Sequence, residues 1–403
     1  MVPRTMQARK WVSMQDVKIG NAKQQVRGSV APGFESVAAA FAKNFSEYGE
    51  VGAACAIYHR GRPVLDVWGG LARPENGEMW QRDTTVLIFS AAKGPTAACI
   101  HRLVEEGLLD IDVPIADYWP EFGCNGKEQI TTRMVLSHQA GLAAVDGELT
   151  LEEVFAWHPV VAAIAAQAPN WEPGSRHGYH ARSFGWILGE LLRRISGMSP
   201  GQYLEKHICA PLGLRYWVGL PAQELPYCAT VIPPDDGDAV TRLLGADSLT
   251  ARVLTGPSQL FGYNDMWNTP ELLAAEMPSS NGVGDARSLA RFYAAMINEV
   301  DGVRLLGHQQ LSEACKQQVR GTDAVLFQET CFGLGFALQP ALAPGAGANC
   351  FGHPGAGGAL AFADPDADLG FTYATNTMQF HTEGDPRSTA LVAAVYDCLD
   401  TVG

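Results

Sequence analysis

Apolar positions along this chain keep two different periods, and the order in which the periods alternate predicts the architecture. Phe34 to Phe45 carries apolar residues at helical spacing, so an amphipathic helix is expected there. Val51 to Tyr58 and Pro63 to Trp68 are compact β-rich runs joined by His59-Arg60-Gly61-Arg62, which reads as a hairpin. Upstream, to about residue 30, the pattern is loose and no element is expected. A polar stretch with Pro and Gly, Ala72 to Thr85, then delivers the chain to the apolar run Val86-Leu87-Ile88-Phe89. From there to about residue 280 helical segments and long loops dominate, with helices expected over Leu151–Ala168 and Phe184–Ile195. Leu220 to Pro278 is loop-rich, and a connection of that length more often walls a functional site than fills space.

The last third changes rhythm. Ala286 to Asn298 reads as a helix, Phe332–Leu338, Ala359–Phe362 and Leu369–Thr375 as strands, and Ser388–Leu399 as a closing helix. Strands at both ends around a helical middle predict an α/β (α+β) domain assembled from residues 1–88 and 282–403. Residues 89–281 would be inserted into it as a mostly helical domain with long loops, with the active site between the two. Neither internal repeats nor low-complexity tracts interrupt the pattern.

Composition narrows the function. With 403 residues the chain is long enough for two or three domains and an ample core. Lys and Arg number 29 against 43 Asp and Glu, a formal net charge of −14, which argues against nucleic acid or an anionic membrane as partner. A small neutral substrate is unaffected by that balance. The nine cysteines are scattered, odd in number and without a C-x-x-C pair, as expected of reduced, buried thiols in a cytoplasmic protein. Met1 to Gln25 is polar and basic, without the apolar core of a signal peptide, and no apolar run is long enough to span a bilayer. Cytoplasmic location is the expectation; oligomeric state leaves no mark on the pattern.

Candidate chemistry begins at Ser90-Ala91-Ala92-Lys93, the only S-x-x-K in the chain. On a helix these two residues share a face, so the amine can sit beside the hydroxyl. A serine needs a neighbouring base to become a nucleophile, and a lysine serves only if burial or a nearby cation lowers its pKa. The apolar flanks, Val86–Phe89 before and Ala97, Ala98, Ile100, Leu103 and Val104 after, suit burial. The bland alternative is an ordinary helix start with Ser90 as its N-cap. Gly94-Pro95 adds a constraint: the helix starts near Ala91 or opens irregularly. Two further patches stand out: Trp171–Ala181, where a Pro-Gly turn precedes Tyr179, and the Gly-dense Phe351–Ala359, where backbone can approach another group closely.

These three patches resemble the serine β-lactamase and penicillin-binding-protein superfamily, with the S-x-x-K motif at their head. The resemblance runs over residues 30 to 400, includes Thr132–Leu142 and Asn281–Phe292, and is nearest to family VIII carboxylesterases and class C β-lactamases. It implies a β-lactamase-like antiparallel sheet flanked by helices, with no metal or other cofactor. It also implies that Ser90 is the nucleophile that forms an acyl-enzyme, with Lys93 and Tyr179 sharing the proton shuttle. Which of the two takes the proton first stays open, and Lys93 is expected to favour the Tyr179 phenolate. The backbone N–H groups of Ser90 and Ala356 would form the oxyanion hole. His353, Gly355 and Ala181 would border the substrate. Here Ala181 stands where the family has the asparagine of Y-x-N, and His353 where it has the lysine of K-T-G. Both departures point away from penicillins and peptides, towards esters without a carboxylate handle.

The reading is therefore a carboxylesterase-type serine hydrolase (EC 3.1.1) acting on a small-molecule ester. Alternatives on the same scaffold are an acyltransferase, in which an alcohol replaces water, and a weak β-lactamase. A non-catalytic binding protein would be expected to have lost Ser90, Lys93 or Tyr179. Gly197-Met198-Ser199-Pro200-Gly201 matches G-x-S-x-G, but a helix precedes it and a proline follows, which fits a helix C-cap and the next N-cap. The ten histidines show no metal spacing; His177 and His180 fit a site wall, and His138 a turn. Trp157, Trp217, Phe261, Tyr263 and Trp267 fit an acyl pocket or core packing equally well.

Overall fold

The hairpin expected at residues 51–68 lies inside a large antiparallel sheet that both ends of the chain build together. The computed structural model describes residues 13–20, 25–381 and 384–402. The first part of the chain gives β1 (Gln15–Ile19), β2 (Val26–Val30), β3 (Gly52–His59), β4 (Arg62–Arg73), β5 (Glu78–Met79) and β6 (Val86–Leu87). The middle gives β7 (Tyr216–Trp217) and β8 (Val283–Gly284). The last part gives β9 (Val319–Thr322), β10 (Glu329–Phe332), β11 (Ala337–Leu338), β12 (Phe351–Pro354), β13 (Leu360–Asp364) and β14 (Leu369–Thr375). The main sheet runs β1-β2-β4-β3-β14-β13-β12-β11-β10-β9, with β5 added beside β4. β14 pairs antiparallel with β3, Tyr373 opposite Cys55, and so joins the two ends of the chain.

Alternation along β3 shows why the sheet must be covered on both faces. Ala53, Cys55 and Ile57 enter one apolar cluster, with Phe41, Phe371 and Val395. Ala54, Ala56 and Tyr58 point the other way, into a cluster with Ala290, Ala294 and Leu289. Helices Glu35–Glu47 and Pro386–Val402 pack together and supply the first cover; helix Ala286–Ile297 supplies the second. That last helix lies so close that a Cβ at Gly370 of β14 would meet the Ala290 oxygen at 2.5 Å. A second, three-stranded sheet, β6-β8-β7, ties residues 86, 216 and 283 together next to Ser90.

The elements depart from the hydrophobic pattern in four places. Residues 15–30 form a strand pair, because Val26 and Val30 bury against the sheet while β2 pairs with β4. Much of the Met1–Gln25 segment read as lacking a signal peptide, residues 1–12 and 21–24, lies outside the described residues. Leu151–Ala168 is two helices, Leu151–Phe155 and His158–Ala166, broken at Trp157, whose φ is 68°. Pro159, just after the break, cannot donate to a continuous helix. Phe332–Leu338 is the end of β10 and all of β11, which fold back on each other with Phe332 opposite Ala337. Leu220–Pro278 contains short helices at Ala239–Leu244, Leu249–Thr255 and Pro270–Ala274. All nine cysteines are free thiols, seven of them buried. Among the described residues no helix is long and apolar enough to cross a membrane.

Candidate active site

Ser90 sits on a bend that the chain is forced to make. Ile88 is fastened by its N–H to the Gly282 oxygen at 2.9 Å, and Phe89 then takes a φ of 47°. For a bulky side chain that left-handed angle costs ~1–3 kcal/mol unless its surroundings hold it. They do: the Phe89 ring packs edge-on against Trp267 at 5.0 Å and lies 6.2 Å from Tyr263. A 3₁₀ turn, Phe89–Ala92, follows, and only then the α-helix Lys93–Glu105. This is the irregular opening that Gly94-Pro95 required, with Pro95 in the first helical turn, where no N–H is needed. Ser90 is not an N-cap. Its neighbours Phe89 and Ala91 are buried while it remains half-exposed.

Two groups meet the Ser90 hydroxyl. Tyr179 donates its phenol hydrogen to Ser90 Oγ at 2.7 Å, and Lys93 Nζ lies 3.4 Å from the same atom. Lys93 is fully buried and also bonds the carbonyl oxygens of Ala181 (2.7 Å) and Ser279 (3.1 Å). Burial, reinforced by the nearby Arg182 cation, lowers its pKa well below the ordinary lysine value. Burial also pushes the Tyr179 phenol up, so it stays protonated at neutral pH. Burial therefore works against the expected phenolate, and Lys93 Nζ lies over the Tyr179 ring, 4.7 Å from its centre. The backbone of Tyr179 is held by its N–H to Asp323 Oδ1 at 3.0 Å. Asp323, fully buried, also takes the N–H groups of Val325 and Leu326.

A narrow cavity of about 40 Å³ opens at Ser90, with Tyr179, Ala181, Tyr263, Trp267 and Ala356 among its walls. Ala181 contributes its methyl to that wall and its carbonyl to Lys93. Gly355 stands against the serine turn itself, where a Cβ would meet the Ile88 oxygen at 2.3 Å, and it lines an adjoining groove. His353 is walled in behind Tyr179, ring centres 5.9 Å apart, and lines neither space. Burial and the Lys93 charge lower its pKa to about 3, so it is a neutral imidazole whose Nδ1 bonds the Pro354 oxygen at 2.7 Å. The residue expected in place of the family's K-T-G lysine, His353, therefore supplies no positive charge. Among the five candidate aromatic residues, Tyr263 and Trp267 line the cavity and Phe261 packs behind them under Arg182 at 4.4 Å. Trp157 instead bonds Glu190, and Trp217 belongs to β7 beneath Arg215.

Three of the histidines are held in structural hydrogen bonds. His180 accepts the Leu142 N–H, His138 accepts the His180 N–H, and His177 bonds Thr330. Among the described residues no cluster of His, Cys, Asp and Glu is arranged to hold a metal. Arg182 is the residue the sequence reading missed. It is buried, lines the cavity, and gives Nη1 to the oxygens of Leu254 (2.8 Å), Gly256 (3.2 Å) and Val253 (3.3 Å). The signal for it was a lone charge between Tyr179 and the apolar helix that follows.

A serine on a strained turn, a buried lysine and a tyrosine, set beside an antiparallel sheet with helices on both faces, make the arrangement of the serine β-lactamase class. The chain belongs to the beta-lactamase family, whose pattern it matches over residues 37–396. It is 34% identical to the esterase/beta-lactamase LipL of Mycobacterium tuberculosis, over 89% of this chain and 84% of that one. Its structure is similar to that of a family VIII carboxylesterase, with a TM-score of 0.82 at 36% identity over 93% of this chain and 99% of the other. A penicillin-binding-protein homologue from Caulobacter crescentus is as similar, with a TM-score of 0.82 at 35% identity over the same shares, 93% and 99%.

Proposed function

We propose that this protein is a serine hydrolase that cleaves carboxylic esters through an acyl-enzyme on Ser90. The observation that carries the reading is the set of three contacts at Lys93 Nζ. Two backbone carbonyls, of Ala181 and Ser279, take two N–H bonds, and the third position faces Ser90 Oγ. A neutral amine has two hydrogens and one lone pair, so with its pKa lowered the lone pair is the group that meets the hydroxyl. Lys93 is then the base, and Tyr179, protonated and donating to Oγ, is the acid.

The steps follow. Ser90 Oγ attacks the ester carbonyl carbon as its proton passes to Lys93, and the carbonyl oxygen becomes an oxyanion held by the N–H groups of Ser90 and Ala356. Collapse breaks the bond to the alcohol oxygen, which takes the Tyr179 proton, and the Lys93 ammonium restores it. Water repeats the sequence in reverse to release the acid. A neutral His353 and the methyl of Ala181 provide neither a cation nor an amide for a β-lactam, so turnover of that class should be weak. The similarity to a family VIII carboxylesterase and to an esterase/beta-lactamase supports ester cleavage. Release of p-nitrophenol from p-nitrophenyl butyrate, in excess over nitrocefin hydrolysis and abolished in Ser90→Ala, is the expected result; turnover that survives Ser90→Ala would refute it.

A further inference from the structure

We propose that Arg387 is a positioning residue for the oxyanion hole: from behind, it fixes the glycine turn that presents the Ala356 N–H to the substrate carbonyl. This rests on the ester-hydrolase reading and adds to it residues from distant parts of the chain that touch no substrate. Ala356 lines the cavity at Ser90, and among the described residues its N–H has no protein partner. Such a donor lowers the barrier only if its aim is set before charge develops on the carbonyl oxygen.

The turn around Ala356 is closed by its own backbone and then tied down from outside. The Gly355 N–H donates to the Ala359 oxygen at 2.7 Å, and the Gly358 N–H to the Gly355 oxygen at 3.3 Å. Two donors from elsewhere hold the Gly357 oxygen: Arg387 Nη2 at 2.7 Å and the Gln379 N–H at 3.1 Å. The guanidinium stands so close that a Cβ at Gly358 would collide with Nη2 and with Asp385 Oδ2. In the Gly-dense patch Phe351–Ala359, the group that the backbone approaches is therefore Arg387.

Arg387 is itself aimed by a buried cluster. Its side chain and that of Glu50 are fully buried. Nη1 donates to Glu50 Oε2 at 3.1 Å and to the Thr377 oxygen at 2.9 Å. Nε and Nη2 donate to the two carboxylate oxygens of Asp385 at 3.0 and 2.6 Å, so the planar fork is filled on every side. Glu50 in turn accepts the hydroxyls of Tyr373 and Thr375. Stability alone is a weak reason for such a cluster. A cation in the first turn of the helix Pro386–Val402 sits at the end where the helix dipole disfavours it. A buried ion pair also returns little net stability once desolvation is counted. What the cluster supplies is a fixed frame: Glu50 precedes β3, Thr375 ends β14, Arg387 opens the last helix, and the guanidinium joins all three to Gly357.

Hydrolysis of p-nitrophenyl butyrate and inhibition by 1-butaneboronic acid test this together. Ser90 Oγ adds to boron, and a boron-bound oxygen then occupies the oxyanion position, so the inhibitor reports on the hole itself. Arg387→Met should lower kcat, counted per site titrated with a phosphonate, by ~10²-fold with KM within about threefold, as for loss of an oxyanion donor. Arg387→Lys keeps the charge without the fork and should recover only part of that loss. In each variant the boronate Ki should weaken in proportion to the loss of kcat. Should Arg387→Met fail to fold, Gly358→Ala, which pushes on the same guanidinium from the turn, must show the same pattern. Soluble variants whose kcat and boronate Ki stay within about twofold, even with a lowered urea midpoint, would make Arg387 structural only and overturn the proposal. A change confined to KM, or a boronate Ki that does not follow kcat, would overturn it as well. An unsubstituted enzyme that cleaves no ester would instead remove the ester-hydrolase reading, and the positioning role with it.

Discussion

Two serines in this protein each stand at the start of a helical segment, and their surroundings give them opposite chemistries. Ser199, in the G-x-S-x-G match, caps the helix Pro200–Leu204: its Oγ accepts the Gln202 N–H, and the Gln202 side chain returns to the Ser199 N–H. The same hydroxyl donates to Glu276 at 2.6 Å. Its oxygen faces a backbone donor and the Glu276 carboxylate, which also takes the Gly201 N–H, and neither is an amine or a phenol. The left-handed residue before it is Gly197, which adopts that angle freely. At Ser90 the left-handed residue is Phe89, held by Trp267, and the hydroxyl faces an amine and a phenol. Backbone strain and a base with a lowered pKa coincide at Ser90.

The sharpest contrast is removal of each hydroxyl. Ser90→Ala should lower kcat for p-nitrophenyl butyrate on the order of 10⁴-fold or more, whereas Ser199→Ala should leave kcat/KM within twofold, to be read in steady-state assays. Equal losses at both sites would erase the distinction. Next come the partners of Ser90. Lys93→Met and Tyr179→Phe should each cost ~10²–10⁴-fold in kcat, while Glu276→Gln, the partner of Ser199, should leave kcat unchanged.

A smaller effect separates the base from the acid. The proposed mechanism needs neutral Lys93, so kcat/KM should rise with pH through the lowered lysine pKa and fall away on its acid side. The cation of Arg182 helps to lower that pKa, so Arg182→Gln should move the acid limb to higher pH; a limb that stays in place would show that Lys93 does not set it. The smallest effect lies at the cap. Ser199→Ala should reduce stability by about 1 kcal/mol in urea unfolding, the usual worth of a serine N-cap.

Much of this was legible in residue patterns because it rests on local chemistry. The β3–β4 hairpin, the helix Ala286–Ile297 and β14 follow from period and turn residues at His59–Arg62 and Asp364–Asp368. Ser90, Lys93 and Tyr179 stood out because few residue types can make a nucleophile and its base, and the structure brings their side chains together. What escaped depended on contacts distant in sequence. The strands at 15–30 gain their burial only by pairing with β4. The break at Trp157 reflects a tertiary bond to Glu190 as well as Pro159. Protonation of Tyr179 and neutrality of His353 come from burial by the whole fold, which no short motif records.

The central claim, that Ser90 and not Ser199 forms the covalent intermediate, is tested most directly by intact mass after incubation with a serine-reactive p-nitrophenyl phosphonate, followed by peptide mapping. One adduct per chain, located on the peptide that contains Ser90 and absent from Ser90→Ala, is the predicted result. An adduct on Ser199, or an enzyme that turns over esters yet forms no adduct at Ser90, would contradict it.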